Sequence, residues 1–98
     1  MAYFCVESTY DGLEFLVKPD EPLTSRIYAR GSWEIVIASV MGFQDSYAEF
    51  LRYCREQYGA KIKGKNWKYP VPFFQTQQSA LLFRQELEKR AAALVRLD

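Results

Sequence analysis

The sequence has no histidine, and only two cysteines, two methionines and five glycines in 98 residues. Each shortage removes a class of chemistry. Without histidine, no Ser-His-Asp or Cys-His nucleophile pair can form within the chain, and no imidazole can ligate a metal. Cys5 and Cys54 cannot complete a structural zinc site by themselves, and they lack the C-x-x-C spacing of a redox motif. The glycines sit singly, so there is no Gly-rich phosphate loop. No apolar run approaches the ~18 residues of a membrane span. The longest, residues 35–41, is strand-sized and contains a serine. Net charge is also nearly missing: 13 Lys+Arg against 12 Asp+Glu leave +1, whereas a dedicated nucleic-acid binder is usually basic overall.

These shortages lead to the expectation of a non-enzymatic protein without metal or cofactor. Five carboxylates, Asp11, Glu14, Glu34, Asp45 and Glu49, remain available for acid–base work. Three of them already have structural assignments: Asp11 in a turn, Asp45 at a helix cap and Glu49 in a capping box. The first six residues carry no basic stretch ahead of an apolar one, which predicts a chain without a secretory leader and a cytoplasmic location. Reduced, packed thiols are expected there.

What is present is apolar and aromatic. The chain is 49% hydrophobic and 26% charged, with seven Phe, seven Tyr and two Trp. That suffices for a core, and the length suits a single globular domain over residues 1–98. Residues 3–9 and 13–18 alternate like strands around Asp11-Gly12, a type I′ turn pair. A two-residue loop sets Ser8 opposite Phe15 and Val6 opposite Val17, with Phe4, Val6, Phe15 and Val17 on the core face. Cys5 then points to the far side of the sheet with Tyr3 and Leu16. A second hairpin is expected from residues 26–30, Gly31-Ser32 and residues 33–40; its second strand is apolar on both faces and so belongs in the sheet centre.

Gly42 closes that strand, and Asp45 or Ser46 caps a helix to about Tyr58, with Ser46-Tyr47-Ala48-Glu49 as a capping box and Gly59 as the left-handed stop. Tyr47, Phe50, Leu51, Cys54 and Tyr58 form its apolar stripe. Cys54 therefore faces the core from a helix while Cys5 faces away, which disfavours a disulfide. Residues 60–63 suggest a short strand with Lys61 and Lys63 outward, followed by a Gly64-Lys65-Asn66 turn. Residues 67–74 suggest a last strand whose Pro70 and Pro72 leave one edge unable to donate. Thr76 caps a final helix with Ala80, Phe83, Leu87, Ala91 and Leu94 as its stripe and Leu82 opposite. The expected fold is α+β: a mostly antiparallel five- to six-stranded sheet, made of two N-terminal hairpins plus a C-terminal edge strand, with two amphipathic helices packed on one face.

Charge is unevenly placed. Residues 1–25 hold five acids and one lysine, a net −4, while residues 60–74 hold four lysines and no acid, a net +4. In that basic segment Lys61, Lys63, Lys65 and Lys68 interleave with Trp67 and Tyr69, the pairing of cations and rings that single-stranded nucleic acid calls for. An ordinary half-buried strand produces the same alternation. The second hairpin would align Arg26, Tyr28, Arg30 and Trp33 on one face, a platform for a protein partner's anchors or for stacked bases, unless Trp33 and its neighbours are core. Tyr3, Cys5 and Leu16, together with Leu82 and residues 91–95, could form an apolar patch for self-association as a homodimer.

The functional expectation is a small protein-interaction module: an adaptor, inhibitor or assembly component of the size that phages and other mobile elements encode. Its partner is a macromolecule, met through the aromatic, arginine and lysine surface, with no membrane involved. The alternative is a nucleic-acid-binding protein that uses residues 61–69.

Overall fold

A computed structural model of the chain describes residues 3–8, 14–19, 33–63 and 70–95. The alternation near the N-terminus becomes an antiparallel pair, β1 (Phe4–Ser8) and β2 (Phe15–Pro19). Its register is the expected one, Ser8 opposite Phe15 and Val6 opposite Val17. Val6 and Phe15 are buried on the face that meets the helices, with Phe4 and Val17 packed beside them. The Asp11-Gly12 turn lies outside the described residues. So do residues 26–32 of the expected second hairpin, the Gly64-Lys65-Asn66 turn and residues 67–69.

The largest departure is at residues 33–40. The expected central strand is a helix, α1 (Trp33–Val40). Ile35, Val36, Ile37 and Val40 are β-branched and favour a strand by propensity. Tertiary burial overrides that preference. Glu34, Ile37, Ala38 and Met41 are the buried positions, and their spacing of three, four and seven residues is that of one helix face. This face packs against β1 and the two later helices. Gly42, expected to close a strand, closes this helix instead. Its φ is +95°. Its N–H donates to the Ser39 carbonyl at 3.0 Å, and Phe43 N–H donates to the Ala38 carbonyl at 2.8 Å, the bond pair of a Schellman stop.

The second helix, α2 (Tyr47–Tyr58), follows its local signals. Ser46 Oγ accepts from Glu49 N–H at 3.2 Å, and Gly59 at φ +65° ends the helix. Such a cap contributes about 1 kcal/mol. Phe50 and Cys54 are buried in its stripe. The last helix, α3 (Gln77–Val95), is capped by Thr76, whose Oγ1 accepts from Ser79 N–H at 3.0 Å. Ala80, Phe83 and Leu87 are fully buried, but Leu94 is 51% exposed and leaves the expected stripe. Arg90, held by Glu86 at 3.4 Å, donates from Nη1 to the Met41 carbonyl at 3.1 Å. That contact places a cation at the C-terminal end of α1, where the helix dipole favours it.

Between α2 and α3 lie β3 (Lys61–Lys63) and β4 (Val71–Phe73), paired antiparallel with Ile62 opposite Pro72. The described strands thus form two two-stranded ladders in place of one five- to six-stranded sheet, and three helices rather than two. Among the described residues one bridge joins the ladders: Phe4 N–H donates to the Phe74 carbonyl at 2.8 Å and Phe74 N–H donates to the Phe4 carbonyl at 2.7 Å. Backbone groups alternate along a strand, so Pro70 and Pro72 present their missing donors on the same edge as Phe74. The expected non-donating edge therefore faces β1, and Pro72 stops the ladder one pairing beyond the bridge.

All three helices pack on one side of these ladders. There Phe43, Tyr47, Phe50, Tyr53, Tyr58, Phe74 and Phe83 form a chain of ring contacts with centroids 5.0–6.1 Å apart. Phe74 is wholly buried among them. On the other side, Cys5, Val71 and Phe73 make a second, smaller buried cluster with Tyr3 beside it.

Candidate interaction surface

Among the residues singled out from the sequence, the structure describes Lys61 and Lys63 in full and the backbone of Trp33. Arg26, Tyr28, Arg30, Lys65, Trp67, Lys68 and Tyr69 lie outside the described residues. The strand platform of the second hairpin is overturned in its second half. Trp33 opens α1, and a helix cannot hold Trp33, Ile35 and Ile37 on one strand face. Ile37 is buried instead, Ile35 is half-buried and Val36 is exposed.

Lys61 and Lys63 sit two apart on β3 and so share a face. Cross-strand pairing sets Lys61 beside Phe73 and Lys63 beside Val71. That face is the side of the ladders away from the helices, and Tyr3 and Cys5 of the first hairpin lie on it as well. Lys63 Nζ stands 4.4 Å from the Tyr3 ring centroid and 5.2 Å from that of Phe73, while Lys61 Nζ is 5.9 Å from Tyr3. Cation–π attraction of about 0.5–1 kcal/mol per exposed contact favours the ammonium groups over the rings. Lys18 joins the same face opposite Cys5, with Nζ 3.9 Å from Glu7 Oε1.

Two surfaces that the sequence suggests separately are therefore one. The outer set of the first hairpin and the lysines of residues 61–63 meet around Tyr3. The apolar patch itself is corrected: Cys5 is only 2% exposed, floored over by Val71 and Phe73, while Leu16 stays exposed on β2. Both cysteines are free thiols. They lie on opposite sides of the β layer, as their parity implies. Burial pushes the Cys54 thiol far above the usual thiol range. Tyr3 was missed as a partner of the lysines. Its parity with Cys5 placed it on the outer face, but nothing local links residue 3 to residue 61.

Among the described residues, the buried charged side chain is Glu34 on α1. Glu34 is 5% exposed, and its Oε2 has no hydrogen-bond partner among the described residues. Burial raises its pKa above the usual carboxylate value, a hydrogen bond from its own backbone N–H opposes the rise, and the charge of Glu7 adds to it. Glu34 lines a cavity of about 10 Å³, room for roughly one water-sized group, walled by Tyr47, Phe50, Pro72, Phe74 and Phe83. The Tyr47 hydroxyl donates to the Pro70 carbonyl and ties α2 to the start of β4.

No helix among the described residues is long and apolar enough to cross a membrane. Comparison of the chain with protein-family models, curated proteins and solved structures finds no match.

Proposed function

We propose that the chain is a small non-enzymatic interaction module, cytoplasmic in location, which binds a macromolecular partner through the outer face centred on Tyr3, Lys61 and Lys63. One observation carries this reading: two lysines converge over a half-buried tyrosine on the face that the helices leave uncovered. Rings and cations flanking an apolar floor are the groups that dominate binding energy and orientation at protein interfaces. The positive charge there fits an acidic protein surface, and the sequence continues the same character into Lys65, Trp67, Lys68 and Tyr69. An adaptor, an inhibitor and an assembly component would all use such a face.

Tagged wild-type protein and the double variant Lys61→Glu/Lys63→Glu, passed over the same lysate, test the reading. A protein that co-purifies with the wild type should be lost from the variant while circular dichroism stays unchanged. Retention of the same protein by the variant would remove this face as the contact. The nucleic-acid alternative draws on the same two lysines. It requires a complex with labelled single or double strands whose affinity falls steeply with salt, and no binding at low salt rejects it.

A further inference from the structure

We propose that β2 carries a self-pairing edge, through which two copies of the chain join antiparallel about a two-fold axis at Leu16. The edge follows from backbone parity. Phe4 gives both its N–H and its C=O to Phe74, so positions 4, 6 and 8 of β1 face β4, while Cys5 and Glu7 face β2. Their partners on β2 are Lys18 and Leu16. Phe15 and Val17 therefore aim their N–H and C=O groups away from β1. No strand among the described residues pairs with that side of β2. Such a row of donors and acceptors is a template for another strand.

Pro19 and the side chains select the occupant and its register. Position 19 shares the parity of 15 and 17, and its nitrogen has no hydrogen to give to this edge. A register that sets Pro19 opposite Phe15 or Val17 leaves a carbonyl without a donor. Setting Phe15 opposite Val17 of the second copy, and Val17 opposite its Phe15, pairs every one of these groups and puts the axis at Leu16. The outward-facing side chains then meet as Leu16 on Leu16 and Glu14 on Lys18, at the non-hydrogen-bonded positions where side chains come closest. Leu16 is 41% exposed, and Lys18 keeps a side chain 44% exposed beside Glu7. An acid on one side of the axis and a base on the other make the strand complementary to itself, which selects a second copy over an unrelated strand. The contact consumes both edges and closes at a dimer. A pairing this short belongs with the small, weak interfaces, so association depends on concentration. It does not depend on what the Tyr3 face binds.

Sedimentation equilibrium of the full chain from about 10 µM to about 1 mM reads the association. The mass should climb from 11.5 kDa toward twice that value, and hydrogen exchange of the Phe15 and Val17 amides should slow over the same range. Leu16→Lys sets like charges together at the axis while placing a cation opposite Glu7 within each copy, so it should stay folded and lose association. Disulfide trapping under mild oxidation reads the register. Non-hydrogen-bonded partners lie about 4.5 Å apart at Cα, within disulfide reach. The two copies of position 18 would lie about 14 Å apart by strand rise. Leu16→Cys should therefore cross-link to a dimer at least about ten-fold faster than Lys18→Cys. A constant mass across the range, undiminished association of Leu16→Lys, or equal cross-linking of the two cysteine variants would each overturn the pairing.

Discussion

The two sides of the β layer bury similar residues by different means. On the helix side, Phe83 and its buried neighbours are packed among α1, α2 and α3, with Phe50 and Phe74 wholly buried against it. On the outer side, Phe73, Val71 and Cys5 are buried to the same degree, yet the described residues beside them are Tyr3, packed against the cluster, and Lys63, whose Nζ stands over the Phe73 ring. Equal burial therefore does not mean equal rigidity. A lysine stem leaves its place by rotamer change, whereas a helix leaves only by partial unfolding. One side is enclosed by helices, and the other sets an apolar floor beside lysine cations, the combination that the proposed contact surface requires.

The sharpest way to break that contrast is the same truncation on each face. Phe83→Ala should cost about 3–5 kcal/mol in urea unfolding, toward the upper end because its rigid ring neighbours cannot collapse into the hole. Phe73→Ala should fall at or below the lower end, because the lysine stems can close over the gap. Equal losses would make the two sides equivalent. The cysteines probe the same difference in rate. Cys54 lies behind the helices and Cys5 does not, so under native conditions a thiol reagent should trap Cys5 at least about ten-fold faster. If Cys54 reacts as fast, the helix side opens more readily than its packing implies.

Glu34 gives the smallest effect and a definite sign. Its folded pKa lies above its ordinary value of 4.5, so the folded state prefers the protonated form. The stability tied to that proton is fully present below about pH 4.5 and is lost as pH rises through the folded value. Glu34→Gln should match the wild type near pH 4 and become more stable than it, by on the order of 1 kcal/mol, as pH rises to 8. A gap that is constant across this range would mean that the carboxyl does not change its charge there.

Where local chemistry specifies structure, the sequence was a sufficient guide. A two-residue loop, expected from the Asp11-Gly12 preference, led to the β1–β2 register that the strands show, and Ser46, Glu49 and Gly59 marked both ends of α2. Residues 33–40 were not legible because three cues agreed on the wrong answer. The run is β-branched, it is short, and Gly42 can punctuate either element. The one cue for a helix, burial at positions 34, 37, 38 and 41, was hidden by a glutamate on the buried face. The proposed contact surface was half legible for a related reason. Alternation placed Lys61 and Lys63 outward, but their meeting with Tyr3 depends on β4 lying next to β1, which no local pattern encodes.

The bridge between Phe4 and Phe74 bears on the order in which the chain organises itself. Each ladder closes a short loop, within residues 4–19 or 61–73, while the bridge joins residues 70 positions apart. Loop closure grows costlier with separation, and distant contacts slow folding. Pro72 ensures that this distant pairing brings only two hydrogen bonds, too few to draw the halves together early. The seam therefore closes late, after the helices have gathered the rings, and a φ-value near zero at Phe4 would register it. In kinetic terms, Pro72 within β4 and Pro70 just ahead of it divide the chain into two hairpins that should mature independently and join last.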